Sequence, residues 1–126
     1  MPVDPTGTQI KAFATADLRG PVVMVNLLRF APDGGRASYG RYLAATAPFL
    51  AQVGGEVVFQ GPARAVVIGE EGEWDSVLLV RYPSKDAFLA MLRNPDYQAV
   101  TGLRSAALVD ARLIACSAED GDGDSR

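Results

Sequence analysis

The order of its apolar segments constrains this chain most. Four stretches with the composition of β-strands are separated by a helical stretch, a turn-rich stretch and a second helical stretch. Residues 21–30 (PVVMVNLLRF) are rich in β-branched and large apolar side chains and read as a strand. The turn residues of 31–35 (APDGG) make a loop. Ser38 is placed to cap a helix running to Val53, with Tyr39, Tyr42, Leu43, Ala47, Leu50 and Val53 on one face. Gly54-Gly55 stops that helix, and Pro48 inside it predicts a kink. Residues 56–69 read as a long second strand with a bulge or bend at Gly61-Pro62. The acidic turn 70–73 then leads into a third strand over 74–82. Pro83-Ser84 caps a helix to Arg93, with Phe88, Leu89 and Leu92 as its buried stripe and Asp86 complementing the dipole of its first turn. Asn94-Pro95 restarts the chain as a short helix to Leu103, and residues 106–116 form a fourth strand. A short helix over about 6–17, with Ile10, Phe13 and Ala14 at helical spacing, precedes the whole.

The order β-α-β-β-α-β specifies an α+β, ferredoxin-like domain: a four-stranded antiparallel sheet in spatial order 4-1-3-2, with both helices on one face. Its 126 residues suffice for one domain, assigned to 1–117, with 118–126 as a solvated, disordered acidic tail. A sheet covered on one side only should alternate apolar and polar residues. Val22-Val23-Met24-Val25 and Val77-Leu78-Leu79-Val80 do not alternate, so both sheet faces must be covered. A second copy of the same sheet is the simplest cover. The expectation is a homodimer packed sheet to sheet, a dimeric α/β barrel.

The missing residues restrict the chemistry. There is no histidine, and Cys116 is the single cysteine. Zinc sites of His and Cys, histidine-ligated haem, intrachain disulfides and histidine-based triads are excluded, and neither a metal nor a cofactor is expected. Cys116, late in an apolar strand, is read as an inert buried thiol. The net charge of −3 belongs to the tail, where Glu119, Asp120, Asp122 and Asp124 face only Arg126; the remainder is balanced. No basic stripe collects phosphates, so nucleic-acid binding is not expected. The longest apolar run, residues 88–92, is far too short to span a membrane, and the first residues lack a secretory pattern. The expected location is cytoplasmic. No glycine-rich phosphate loop is present.

Topology nevertheless gathers polar residues. Strand one runs antiparallel to strands three and four, so its C-terminal end lies near the start of both. Asn26, Arg29, Tyr39, Tyr42, Trp74, Asp75 and Arg104 should meet at that end, with Arg81 at the other. Each has a plain structural alternative. Asn26 can satisfy loop backbone, Arg29 can be a solvated rim residue, and Tyr39 and Tyr42 can be core. Trp74 can pack at an interface, Asp75 can pair with an arginine, and Arg104 can form an ion pair or clamp a carboxylate. General-base chemistry would fall to Asp75 or Asp110 with a raised pKa.

Several stretches together resemble the family called domain of unknown function 1330: Val25-Asn26-Leu27-Leu28-Arg29-Phe30, Tyr39-Gly40-Arg41-Tyr42, Val53-Gly54-Gly55, Tyr82-Pro83-Ser84, Asn94-Pro95-Asp96-Tyr97-Gln98 and Leu103-Arg104-Ser105-Ala106-Ala107. The resemblance covers about residues 20–117. It implies membership of the dimeric α/β-barrel superfamily, with Asn26, Tyr42, Gly55, Pro83, Ser84, Tyr97 and Arg104 at the recurring positions. Some relatives carry a histidine where this chain has Leu103. The superfamily includes cofactor-free monooxygenases, histidine-dependent haem enzymes and lactone isomerases, and the lack of histidine removes the haem class here. Two readings follow. In one, Asn26, Arg29, Tyr39, Tyr42, Trp74 and Arg104 form a pocket for a small anionic or oxygen-rich ligand, in a binding protein or a cofactor-independent isomerase or monooxygenase. In the other, the chain is a non-catalytic dimeric structural or interaction module.

Overall fold

The computed structural model describes residues 3–118, so residues 119–126 of the acidic tail lie outside the described residues. The elements follow the order α1 (Gly7–Thr15), β1 (Val22–Phe30), α2 (Gly35–Gln52), β2 (Glu56–Pro62), β3 (Ser76–Tyr82), α3 (Lys85–Arg93), α4 (Pro95–Gln98), α5 (Thr101–Ala107) and β4 (Leu108–Ser117). The four strands pair antiparallel in the order β2-β3-β1-β4, the ferredoxin-like arrangement. The sheet is open, with β2 and β4 as its edges; one chain does not close a barrel. Among the described residues no helix is long and apolar enough to cross a membrane.

Strand periodicity divides the sheet into two chemically distinct faces. In β1, Val22, Met24, Asn26 and Leu28 are buried beneath the helices, and the β3 residues Ser76, Leu78, Val80 and Tyr82 join them. The opposite face takes Val23, Val25, Leu27, Val77 and Leu79, all only half-buried. Register carries one apolar row across all four strands of that face: Phe59, Leu79, Val25 and Ile114. Its outer members stand open, Phe59 at 53% and Ile114 at 49% exposed. Cys116, opposite Val23, is exposed on the same face, which corrects the expectation of a buried thiol.

Four local features depart from the sequence-based expectation. First, α2 begins at Gly35, a turn before Ser38. A side chain at Gly35 would put Cβ 2.6 Å from the Ala107 carbonyl oxygen, so only glycine admits the end of α5 here. Ser38 therefore lies inside the helix, where its hydroxyl donates to the Leu103 carbonyl at 3.1 Å. Second, the last helical residue of α2 is Gln52 with Val53 as its C-cap, Pro48 lies inside the helix, and Gly54 follows at φ +77°. Third, β2 stops at Pro62, and its register shift falls at 57–59 instead of Gly61-Pro62. Beyond Pro62 no partner strand is offered, because β3 begins only at Ser76. Val67 and Ile68 are accordingly 93% and 95% exposed in the connecting loop. Fourth, Ala106 and Ala107 close α5, and β4 starts at Leu108.

α1 is fastened at both ends. A capping box joins Thr6 and Gln9, with bonds of 3.1 Å in each direction. At the other end the Lys85 ammonium donates to the Ala14 carbonyl at 2.8 Å and also to that of Ala16. Between them, Phe13 meets Phe88 edge-on at 5.5 Å. The helix buries no residue completely, so it lies over the core as a cover.

Candidate functional site

A cavity of about 840 Å³ lies between the helix-facing side of the sheet and the helices, within the range typical of small-molecule sites. Met24, Asn26, Leu78 and Val80 line it from the sheet, and Tyr39, Tyr42, Leu43 and Leu50 from α2. Phe88 and Leu92 come from α3, Tyr97 from α4 and Arg104 from α5. Val57 and Gln60 of β2, residues 111–115 of β4, residues 3–5 and α1 supply the rest. Most of the surface lining it is apolar, and Asn26, Tyr42, Tyr97 and Arg104 are among its polar groups.

Three of those groups show what a guest could meet. The hydroxyls of Tyr42 and Tyr97 are 2.7 Å apart, and both rings are buried. Two hydroxyls sharing one bond leave one proton free to donate. Asn26 donates from Nδ2 to the carbonyls of Met24 at 3.3 Å and Leu78 at 3.2 Å. Both its donors are thus used by the sheet. No donor among the described residues reaches its Oδ1, which is left as an acceptor on the cavity wall. Arg104 has a largely buried side chain and donates to the Val3 carbonyl. Its carboxylate neighbour is Asp4, 3.9 Å away and itself mostly exposed. Asp4 also accepts from the Ser105 hydroxyl at 2.9 Å.

The tyrosines are donors and not bases. Burial pushes Tyr39 up to about 12, with the adjacent Arg104 guanidinium pulling the other way. Burial pushes Tyr42 much further, and Tyr97 beside it adds to the rise. Tyr82 is raised chiefly by burial as well. All three hydroxyls keep their protons at physiological pH. Among the lining residues described, Asp4 is the one carboxylate.

Of the six ligand-binding candidates from the sequence, Asn26, Tyr39, Tyr42 and Arg104 meet in this cavity, and Arg29 and Trp74 do not line it. Arg29 is an odd-numbered residue of β1, on the far face, and donates to the Gly72 carbonyl at 3.4 Å. Trp74 lies under the Arg112 guanidinium, 5.2 Å from its ring centre. The two proposed bases are also committed elsewhere. Asp75 accepts from the Phe30 N–H at 2.8 Å, supporting the end of β1 instead of pairing with an arginine. Burial pushes Asp110 up, but Arg112 at 2.7 Å and the Ala111 N–H outweigh it and hold the carboxyl below its ordinary value. Arg81, at the other end as expected, pairs with Glu56 at 3.6 Å. Tyr97 and Asp4 are the site residues that the candidate set lacked. Tyr97 could have been found among the recurring positions of the family resemblance, whereas nothing in the pattern around Asp4 marks it.

Residues 34–117 match the model of a family described as Domain of unknown function (DUF1330). The chain belongs to the DUF1330 family. The match runs from the start of α2 through β4, so it includes Tyr39, Tyr42, Tyr97 and Arg104 and leaves Asp4 and Asn26 before it. This DUF1330 chain is similar to the RPA0582 protein of unknown function from Rhodopseudomonas palustris. The two are 36% identical over 94% of this chain and 97% of that one, with a TM-score of 0.86. The methylated form of RPA0582 gives the same identity, 36%, and TM-score, 0.86, over 97% of both chains. Likeness of fold alone extends to a dimeric ferredoxin-like protein of unknown function from Jannaschia sp. CCS1, 12% identical over 79% of this chain and 100% of that one, TM-score 0.61. It extends also to a protein from Caulobacter crescentus CB15 provisionally named an antibiotic biosynthesis monooxygenase, 15% identical over 82% and 93% of the two chains, TM-score 0.60. No protein of curated function matches the chain.

Proposed function

We propose that this DUF1330 chain binds a small anionic or oxygen-rich molecule in the cavity beneath α1, and does so as a homodimer. The observation that carries the reading is the convergence of the Tyr42–Tyr97 hydroxyl pair, the Asn26 amide and the Arg104 guanidinium on one mostly apolar cavity. Such a wall buries a guest's carbon skeleton and leaves a few polar groups to orient its oxygens. The dimer follows from the open apolar row on the far sheet face, an area that water disfavours and a symmetric copy can cover. A fold neighbour described as dimeric supports it. A cytoplasmic location fits a lone, exposed thiol.

As an enzyme, the chain is suited to cofactor-independent isomerisation or oxygenation, in which negative charge develops on a substrate oxygen. Neutral tyrosine hydroxyls and a guanidinium stabilise that charge without taking a proton. Native mass spectrometry of the freshly purified chain tests binding and assembly together. A dimer carrying a reproducible small adduct, lost on Arg104→Ala while the dimer persists, is the expected result. A dimer that never carries an adduct, and whose Arg104→Ala and Asn26→Ala variants lose only thermal stability, refutes the binding reading. That outcome would favour the non-catalytic module, for which the two sheet carbonyls held by Asn26 already speak.

A further inference from the structure

We infer that the guest is a monocarboxylic acid with an extended apolar body, whose carboxylate takes the place of Asp4 on Arg104. The inference rests on the binding reading above and narrows it to one chemical class. Two arginines line the cavity, and they differ in what they already hold. Arg112 is committed to Asp110 at 2.7 Å and stacks on Trp74. Among carboxylates Arg104 has only Asp4, at 3.9 Å and itself 61% exposed, and its other partner is the neutral Val3 carbonyl. A guanidinium presents five donors in a planar fork, and a carboxylate seated on it bidentately is held far better than by one long contact. Asp4 is therefore a weak internal substitute for a stronger anion.

The rest of the cavity describes the remainder of the molecule. Away from Arg104 the wall is mostly apolar, with Met24, Leu43, Leu50, Val80, Phe88 and Leu92 beside the uncharged Thr46, Gln60 and Gln98, and its second arginine, Arg112, is already paired with Asp110. A dicarboxylate or phosphate ester would bury a further charge against hydrocarbon, at a cost that nothing there offsets. Its volume of about 840 Å³, at roughly 30 Å³ for each water-sized group, holds on the order of 25 heavy atoms, so a short acid such as acetate would leave most of it unfilled. The proton left over by the Tyr42–Tyr97 pair serves an oxygen along the body.

The path in is set by the same residues. Val3 and Asp4 both sit on the Arg104 guanidinium, and Asp4 is tied further to Ser105. The far end of α1 is held by Lys85 and Phe88. A carboxylate arriving at Arg104 displaces Asp4, releasing residues 3–5 while the Lys85 end stays fixed.

Calorimetric titration of the full chain with dodecanoate and with dodecan-1-ol tests this, because the two share a body and differ in the head group. Dodecanoate should bind at least tenfold more tightly than the alcohol, and Arg104→Gln should bring it down to the alcohol's affinity. Asp4→Asn should tighten dodecanoate threefold or more and leave dodecan-1-ol unchanged. Equal affinity for acid and alcohol in the unmodified chain overturns the head-group assignment while the cavity reading survives, and needs no variant to fold. Failure of dodecanoate alongside Arg104-dependent binding of benzoate overturns the extended apolar body alone, and such binding of succinate overturns the single charge as well. Failure of all four probes, with no adduct in the mass spectrum, overturns the binding reading itself. Unchanged or weaker dodecanoate binding in Asp4→Asn refutes the displacement.

Discussion

Raising the pH through the tyrosine range interrogates the cavity directly. Three of the four tyrosines, Tyr39, Tyr42 and Tyr82, are pushed above their ordinary value of 10.0 by burial. An unfolded chain ionises its tyrosines near that ordinary value. Above it the unfolded state therefore holds fewer protons than the folded one, and stability falls with pH. The contribution of these groups is fully present below pH 10 and is lost as the pH rises toward their folded values. Each fully ionised tyrosine of the unfolded chain costs about 1.4 kcal/mol per pH unit, and three together about 4 kcal/mol per pH unit. For Tyr39 the loss ends near pH 12, at roughly 3 kcal/mol. Tyr42 and Tyr82 carry it further.

Set against an ordinary domain stability of roughly 5–15 kcal/mol, that slope unfolds a chain at the low end of the range at about pH 11 and one of about 10 kcal/mol at about pH 13. One alkaline titration followed by both tyrosinate absorbance and far-ultraviolet circular dichroism reads the effect. Most of the tyrosinate signal should appear in step with the loss of helix, and Tyr42→Phe should shallow the slope by one proton. The reasoning is refuted if three tyrosines ionise reversibly near pH 10 with the dichroism intact. That result would mean the hydroxyls stand in bulk water, and the water-excluded donors invoked for ligand binding would not exist.

Further outcomes follow from single contacts. Removing the hydroxyl of Tyr42 or of Tyr97 alone should cost about 1–3 kcal/mol, because it strands a buried partner. Replacing both with Phe should cost less than the sum; strictly additive melts would show that the 2.7 Å contact carries no coupling. Gly35→Ala should destabilise by about 1–3 kcal/mol in thermal melts, since the new Cβ meets a backbone oxygen that cannot move aside. A melt unchanged from wild type would remove the stated reason for glycine at the α2–α5 contact. Leu79→Lys should convert the proposed dimer to monomers in analytical ultracentrifugation, because two like charges would oppose each other in the apolar row that a second copy would cover. A dimer retained in that variant places the interface elsewhere.

Strand order was legible because the strands carry β-branched composition and the turns between them carry Gly, Pro and Asn, and both signals are local. The end of β2 was not. Residues 63–68 (ARAVVI) have the composition of a strand, yet composition does not say whether a partner is there to pair with, and β3 offers none past Ser76. The start of α2 was hidden for a related reason. Gly34-Gly35 looks like loop until the Ala107 carbonyl is known to lie against it. Among the site residues, one error was avoidable from periodicity. Asn26 and Arg29 are three apart in a strand, so they point to opposite faces and cannot share a pocket. The place of Asp4 depends on α1 folding back over the cavity through Lys85 and Phe13, contacts between residues some seventy positions apart that no local pattern encodes.

The same two-residue period makes assembly and binding separable. Val25 and Asn26 are neighbours in β1, but Val25 lies in the apolar row of the far face and Asn26 on the cavity wall. A charge at Val25 is therefore expected to abolish the dimer in ultracentrifugation and to leave the cavity groups in place, since no dimer contact is needed to bring Tyr42, Tyr97 and Arg104 together. Asn26→Ala is expected to do the reverse, weakening binding at an unchanged sedimentation coefficient. It frees two sheet carbonyls, so some thermal stability should be lost with it. Loss of binding in the Val25→Lys monomer would show that the partner completes the pocket, and the site would have to be redrawn across the dyad.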